Sequence, residues 1–195
     1  MADSPVHQEP CTFHALLASD VATLTSWLSA PEMQAVLEDE PGGPAAAARK
    51  ARKLVGLDPI RNRECAYMVM YEGRPIGFIH VLYINWISRT TEIDIMVEPA
   101  SQRSLLGLWV VAKTAEICFD LLNLRKAYGY IFATNTPSSR FFSRLMPVEA
   151  TLTAGRRPEK GDEDVLIASL TVESYRKLRQ RYKWDEFIKG RGHQA

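Results

Sequence analysis

The spacing of apolar residues changes period several times along the chain, and each change predicts a new element. Between residues 65 and 97 the period is close to two. Cys65 to Tyr71 and Pro75 to Asn85 read as strands, and the polar Glu72-Gly73-Arg74 between them is a hairpin signal. Thr91 to Val97 (TEIDIMV) alternates, with Glu92, Asp94 and Met96 on one face and Ile93, Ile95 and Val97 on the other. Leu105 to Leu122 reads as a strongly apolar helix interrupted by Lys113, Glu116 and Asp120. Ala127 to Thr134 predicts a further strand. Asn135 to Leu145 predicts a helix that Asn135 can cap, with Pro137 in its first turn. Thr151 and Val165 to Leu170 predict a last hairpin across the polar loop Gly155 to Asp164.

Before this block, Thr12 to Leu17 predicts a short strand, and Ser19-Asp20 offers an N-cap for a helix through Trp27. The Pro- and Gly-rich stretch Glu38 to Pro44 reads as a loop. Ala45 to Leu57 is rich in helix formers and is ended by Asp58-Pro59. After the block, Ser174 to Lys189 reads as an exposed basic helix. Three successive strands argue for a mixed sheet, and the helix-strand-helix units that follow argue for local parallel pairing. The expected class is α+β, or α/β under a looser naming. The expected organisation is a flexible arm at 1–11, one domain at 12–172, and a basic helix and tail at 173–195.

Composition narrows the functional classes. A chain of 195 residues suits one domain with a sizeable core. A net charge of +1 predicts no general attraction to nucleic acid or membrane. No stretch approaches the ~20 apolar residues of a membrane span, and the opening MADSPVHQEP has no apolar signal core. Cytoplasmic residence is the expectation. Cys11, Cys65 and Cys118 lack metal-site spacing, which predicts buried free thiols and no metal. Motifs for a P-loop, a dinucleotide-binding Rossmann turn, a zinc site or a serine-hydrolase elbow are absent.

The candidate chemistry lies in residues 91–119. A strand runs into Pro99, then a polar loop with Gln102, Arg103 and Ser104, then a helix starting near Leu105. Free backbone N–H groups and the dipole at such a helix start favour an anion, a pyrophosphate for instance. Arg103 adds charge, and Ser104 can cap the helix or donate a hydrogen bond. The basic residues Arg49, Lys50, Arg52, Lys53, Arg61 and Arg63 read as a solvated face or as a contact for an acidic partner. His80 alternates within its strand and reads as a hydrogen-bonded structural histidine or as a wall of an acceptor pocket.

These residues resemble the GNAT acyltransferase superfamily. Its donor-binding loop has the form Gln/Arg-x-x-Gly-x-Gly/Ala a few residues after a Pro; here Gln102-Arg103-Ser104-Leu105-Leu106-Gly107 follows Pro99, with Leu105 in place of the first Gly. The opening strand and Trp-containing helix resemble the RimJ/RimL-like branch, and Asn135 matches an Asn that contacts the donor. The resemblance spans roughly residues 12–172. It implies a twisted, mostly antiparallel sheet of six to seven strands, flanked by helices, with the fourth and fifth strands splayed. The pantetheine arm of an acyl-CoA, acetyl-CoA by default, would pair with the backbone around Met96 and Val97. Residues 102–107 would wrap the pyrophosphate, and Asn135 and Phe142 would flank the arm. A small-molecule primary amine would attack the thioester, with Glu92 as base and Asp94 second. Phe142 occupies the position of a family Tyr that protonates the thiolate, and Met146-Pro147 replaces a Gly-Phe pair. With Leu105, these departures keep two alternatives in view: a donor carried on an acyl carrier protein or tRNA, and a non-catalytic binding module. Family members are often homodimers.

Overall fold

The computed structural model describes residues 10–34, 43–101, 106–135, 142, 145–154 and 161–184, apart from the side chains of Glu32 and Gln34. Strands β1 (Cys11–Ala15), β2 (Cys65–Tyr71), β3 (Arg74–Asn85), β4 (Thr90–Val97), β5 (Lys126–Phe132), β6 (Val148–Leu152) and β7 (Val165–Thr171) form one sheet. Its order is β1-β2-β3-β4-β5-β7-β6. Every neighbouring pair is antiparallel except β4 and β5, which run parallel across the intervening helix. The mixed sheet and its parallel step are those expected from the order of elements.

Helices cover both faces. The helix α1 (Val21–Leu28), the short α2 (Pro31–Gln34) and α3 (Gly43–Lys53) lie over the β2–β4 side of one face. There Leu24, Trp27, Leu28, Ala47 and Ala51 pack with Met68, Phe78 and Met96. On the opposite face α4 (Leu106–Ala115) packs with Ile79, Val81 and Ile93. The alternation of β3 thus sends Phe78 and His80 toward α1 and α3, and Gly77 and Ile79 toward α4. Gly77 is where α4 comes closest: a Cβ there would sit 2.5 Å from Val110 Cγ2 and 2.9 Å from the Met96 carbonyl oxygen.

Several expected boundaries shift for identifiable reasons. Asp20 does not cap α1. Its carboxylate reaches back to accept from Leu17 N (2.9 Å) and His14 Nε2 (3.0 Å), closing a 3-10 turn at Ala18–Asp20. The long apolar helix is α-helical only to Ala115 and continues as a π-helical segment, Glu116–Leu121. The basic C-terminal helix is α5 (Val172–Arg181), capped by Thr171 Oγ1, which accepts from Ser174 N at 3.2 Å. It is not simply exposed: Tyr175 and Trp184 are each 2% exposed and join the α4 core. Tyr175 Oη donates to Asp120 Oδ2 at 2.7 Å, and Arg179 Nη1 donates to the same oxygen at 2.7 Å. Tyr175→Phe leaves the ring in place and removes two hydrogen bonds with charged groups, the one donated to Asp120 and the one accepted from Arg179 Nη1 at 3.0 Å. The expected cost is about 1–2 kcal/mol, read as a lower urea midpoint at an unchanged m-value.

Candidate active site

Pairing between β4 and β5 covers only Thr90↔Lys126, Thr91↔Ala127 and Glu92↔Tyr128, although β4 continues to Val97 and β5 to Phe132. Past this point the strands part. At Gly129 the backbones are still close, since a Cβ there would lie 3.0 Å from the Ile93 carbonyl oxygen. A glycine therefore stands at the start of the gap. The gap opens into a cavity of about 370 Å³.

The cavity has walls from both sides of the sheet. Toward α1 and α3 it is lined by Lys50, Phe78, His80, Glu92, Asp94 and Met96; toward the other side by Ile93, Ile95, Asn135, Phe142 and Met146. A passage of this kind lets a ligand arm enter from one face and present its end to the other. Glu92 and Asp94 stand on one face of β4, as its alternation predicts. Their β3 partners are Leu82 and His80. The register between Leu82 and Asn85 is irregular, and Tyr83 adopts φ 49 in that bulge, a left-handed conformation that places it at the rim. Tyr130 joins it on the β5 side, with its ring 6.1 Å from that of Tyr128 in an edge-to-face contact. Burial, and then the negative charge of Glu92 beside it, hold the Tyr128 phenol above its ordinary range, so it stays a proton donor.

Five of the residues singled out in the sequence lie together. Glu92, Asp94, Met96, Asn135 and Phe142 line a single cavity. Asn135 N donates to Phe132 O at 2.9 Å, closing the turn after β5. Val97 and Gly107 lie against each other beside it: a Cβ on Gly107 would be 3.6 Å from Val97 Cγ2, an ordinary contact. Packing within the protein therefore does not require glycine there. Leu106 opens α4. Gln102, Arg103, Ser104 and Leu105 lie outside the described residues.

One feature was missed in the sequence, an anchor just after β4. Glu98 Oε2 accepts from Arg74 Nη1 (2.7 Å) and Ser101 Oγ (2.5 Å), while Ser101 N donates to Glu98 O (2.8 Å). This network fixes the turn after β4 as far as Ser101, and no local spacing signals it. His80, for which the sequence leaves a structural histidine and a pocket wall both open, is 8% exposed and faces the cavity.

The family described as Acetyltransferase (GNAT) domain matches residues 11–145. The chain belongs to the GNAT acetyltransferase family. As such it is an enzyme that takes an acetyl group from acetyl-CoA and places it on an amine. No curated protein matches the chain. Among solved structures, spermidine N-acetyltransferase from Vibrio cholerae in complex with CoA and spermine has a TM-score of 0.73 at 19% identity, covering 85% of this chain and 98% of that one. A chimera of that Vibrio cholerae enzyme with hSSAT gives 0.72 at 20% identity over 85% and 98% of the two chains. Its dodecameric structure in an intermediate state gives 0.68 at 19% identity over 85% and 96%. At these identities the likeness is one of fold. Among the described residues no cluster of His, Cys, Asp and Glu is placed to hold a metal ion, and no helix is long and apolar enough to cross a membrane.

Proposed function

We propose that this GNAT chain, of the RimJ/RimL-like branch, acetylates a small cationic molecule at a primary amine. The observation that carries the reading is the cavity at the β4–β5 parting, with an apolar donor wall and two carboxylates on the acceptor wall. Glu92 and Asp94 attract an ammonium, and the Tyr83 and Tyr130 rings at the rim suit a cation further along the same molecule. The fold neighbour in complex with CoA and spermine supports a polyamine as the first acceptor to test.

In this reading the pantetheine arm runs along the β5-facing edge of β4 at Met96 and Val97, and the loop at 102–107 takes the pyrophosphate. Asn135 and Phe142 flank the arm. The bare Cα of Gly107 leaves room that packing does not claim. Glu92 draws the proton from the ammonium, with Asp94 second. The free amine attacks the thioester carbonyl, a backbone N–H near Val97 steadies the oxyanion, and the thiolate leaves. Phe142 cannot donate a proton, so the thiolate takes its proton from the attacking nitrogen.

Thermal melts with acetyl-CoA, CoA and free pantetheine, followed by acetylation of spermidine, glucosamine and a free-amine peptide, test the reading. Acetyl-CoA at about a hundred times its Kd stabilises by ~2.7 kcal/mol, or roughly 5–10 °C for a chain of this size. Stabilisation by pantetheine but not CoA would move the donor to a carrier protein or tRNA. No stabilisation by any of the three would leave a non-catalytic binding module.

A further inference from the structure

We infer that His80 is the residue on which the acceptor's proton comes to rest during transfer, with Asp94 beside it as the way in and Glu64 behind it as the way out. The inference rests on the acetyl-transfer reading above and adds a third titratable group to its acceptor wall.

Three observations place His80 in this role. It lines the same cavity as Glu92 and Asp94. It is the β3 register partner of Asp94, and directly opposed residues of an antiparallel pair hold their Cβ atoms about 5 Å apart. On its other side, Nε2 lies 3.4 Å from Glu64 Oε2, whose side chain is 31% exposed while that of His80 is 10% exposed. The imidazole therefore bridges a cavity carboxylate and a carboxylate that reaches solvent. With Nε2 donating to Glu64, the lone pair is on Nδ1, so the neutral ring can accept a proton there.

The charged groups facing the ring among the described residues are Glu64 ahead of β2, Asp94 on β4 and Lys50 on α3. Burial holds the imidazole pKa below its ordinary value of 6.5; Asp94 and Glu64 oppose that shift, and Lys50 adds to it. The ring is thus neutral at neutral pH and ready to take a proton. An ammonium with pKa near ~10 loses its proton more readily when such a site stands behind the first carboxylate.

The proton balance closes. The ammonium gives one proton to the Glu92 carboxylate, and it passes by way of Asp94 to His80. The amine nitrogen forms its bond to the thioester carbon, and the carbonyl π pair moves onto oxygen. That pair returns as the C–S bond breaks, and the surplus proton on nitrogen goes to the departing sulfur. The imidazolium then releases its proton to water by way of Glu64, leaving the amide, the free thiol and one proton in solution.

The test compares the wild-type chain with His80→Gln and His80→Ala, using acetyl-CoA and whichever amine of the panel is acetylated, spermidine first. His80→Gln is expected to lower kcat/KM about tenfold or more at pH 7, while stabilisation by acetyl-CoA is unchanged. The wild-type rate should fall on acidification below pH 6.5, because the folded pKa lies under that value and protonation removes the acceptor. That limb disappears in His80→Gln. Added imidazole should restore part of the His80→Ala rate and none of the His80→Gln rate, a readout that a merely structural histidine would not move. A His80→Gln variant with the wild-type rate and acid limb overturns the inference and leaves the acetyl-transfer reading standing. A wild-type chain that binds no CoA and acetylates none of the amines overturns both. If the variants do not fold, NMR titration of the four wild-type histidines decides. One imidazole should titrate below the ordinary range and move lower still in Asp94→Asn; four ordinary titrations, or no response to Asp94→Asn, overturn the inference.

Discussion

Glu92→Gln is expected to lower kcat/KM for acetyl transfer at neutral pH by about a hundredfold or more, equivalent to ~3 kcal/mol of transition-state stabilisation. The amide matches the carboxylate in shape and keeps a hydrogen-bonding group, so the fold and the donor gap should persist. What it removes is a negative charge and a proton acceptor. Glu92 belongs to the last β4–β5 register pair before the strands part, opposite Tyr128, so it stands where the gap begins. Steady-state kinetics across pH, with thermal melts in acetyl-CoA beside them, separate the possibilities. A lower kcat with unchanged stabilisation by acetyl-CoA identifies chemistry. An unchanged rate at every pH removes Glu92 from the mechanism. Asp94→Asn should cost less, because it leaves Glu92 in place.

Gly77→Ala should destabilise the protein by about 3 kcal/mol, the upper end of the usual range for overpacking. The added methyl carbon would lie 2.5 Å from Val110 Cγ2 and 2.9 Å from the Met96 carbonyl oxygen. Val110 is fully buried, so its side chain has little room to withdraw. The second obstacle is backbone, and it belongs to the segment of β4 that borders the gap. The loss should therefore appear twice: as a lower urea midpoint, and as weaker stabilisation by acetyl-CoA in the fraction that still folds. Adding Val110→Ala relieves only the side-chain clash, so recovery should be partial. A Gly77→Ala midpoint equal to wild type would mean that α4 does not press on β3 at this point.

Much of the sheet could be read directly. β2 has the expected ends, and β3 and β4 differ from expectation by a residue at one terminus, because period-two alternation between turn residues leaves few alternatives. The parallel β4–β5 step follows from the single helix that separates them. Other features depended on distances that periodicity does not carry. Asp20 looked like the cap of α1, but a carboxylate there can turn either way, and His14 and Leu17 N draw it backward. The basic content of the last helix hid Tyr175 and Trp184, since a few large rings can bury one stripe of an otherwise polar helix. The glycines at 77 and 129 looked like ordinary strand residues; only close approach of a second backbone or side chain gives them a purpose. For His80 the alternation leaves a structural histidine and a pocket wall both open, and the cavity beside it is what puts it on the wall.

The three thiols also matter for how turnover can be followed. Cys11, Cys65 and Cys118 are all buried, and burial pushes the Cys65 thiol up to about 11 and raises that of Cys118 as well. A thiolate attacks a disulfide reagent only where the reagent can reach it, releasing the reagent's other sulfur as a thiolate. A chromogenic disulfide added to the folded enzyme should therefore register the sulfhydryl of each coenzyme A released and almost nothing from the polypeptide. Once the chain unfolds, three further equivalents should develop colour, so one cuvette can report both catalytic rate and loss of structure.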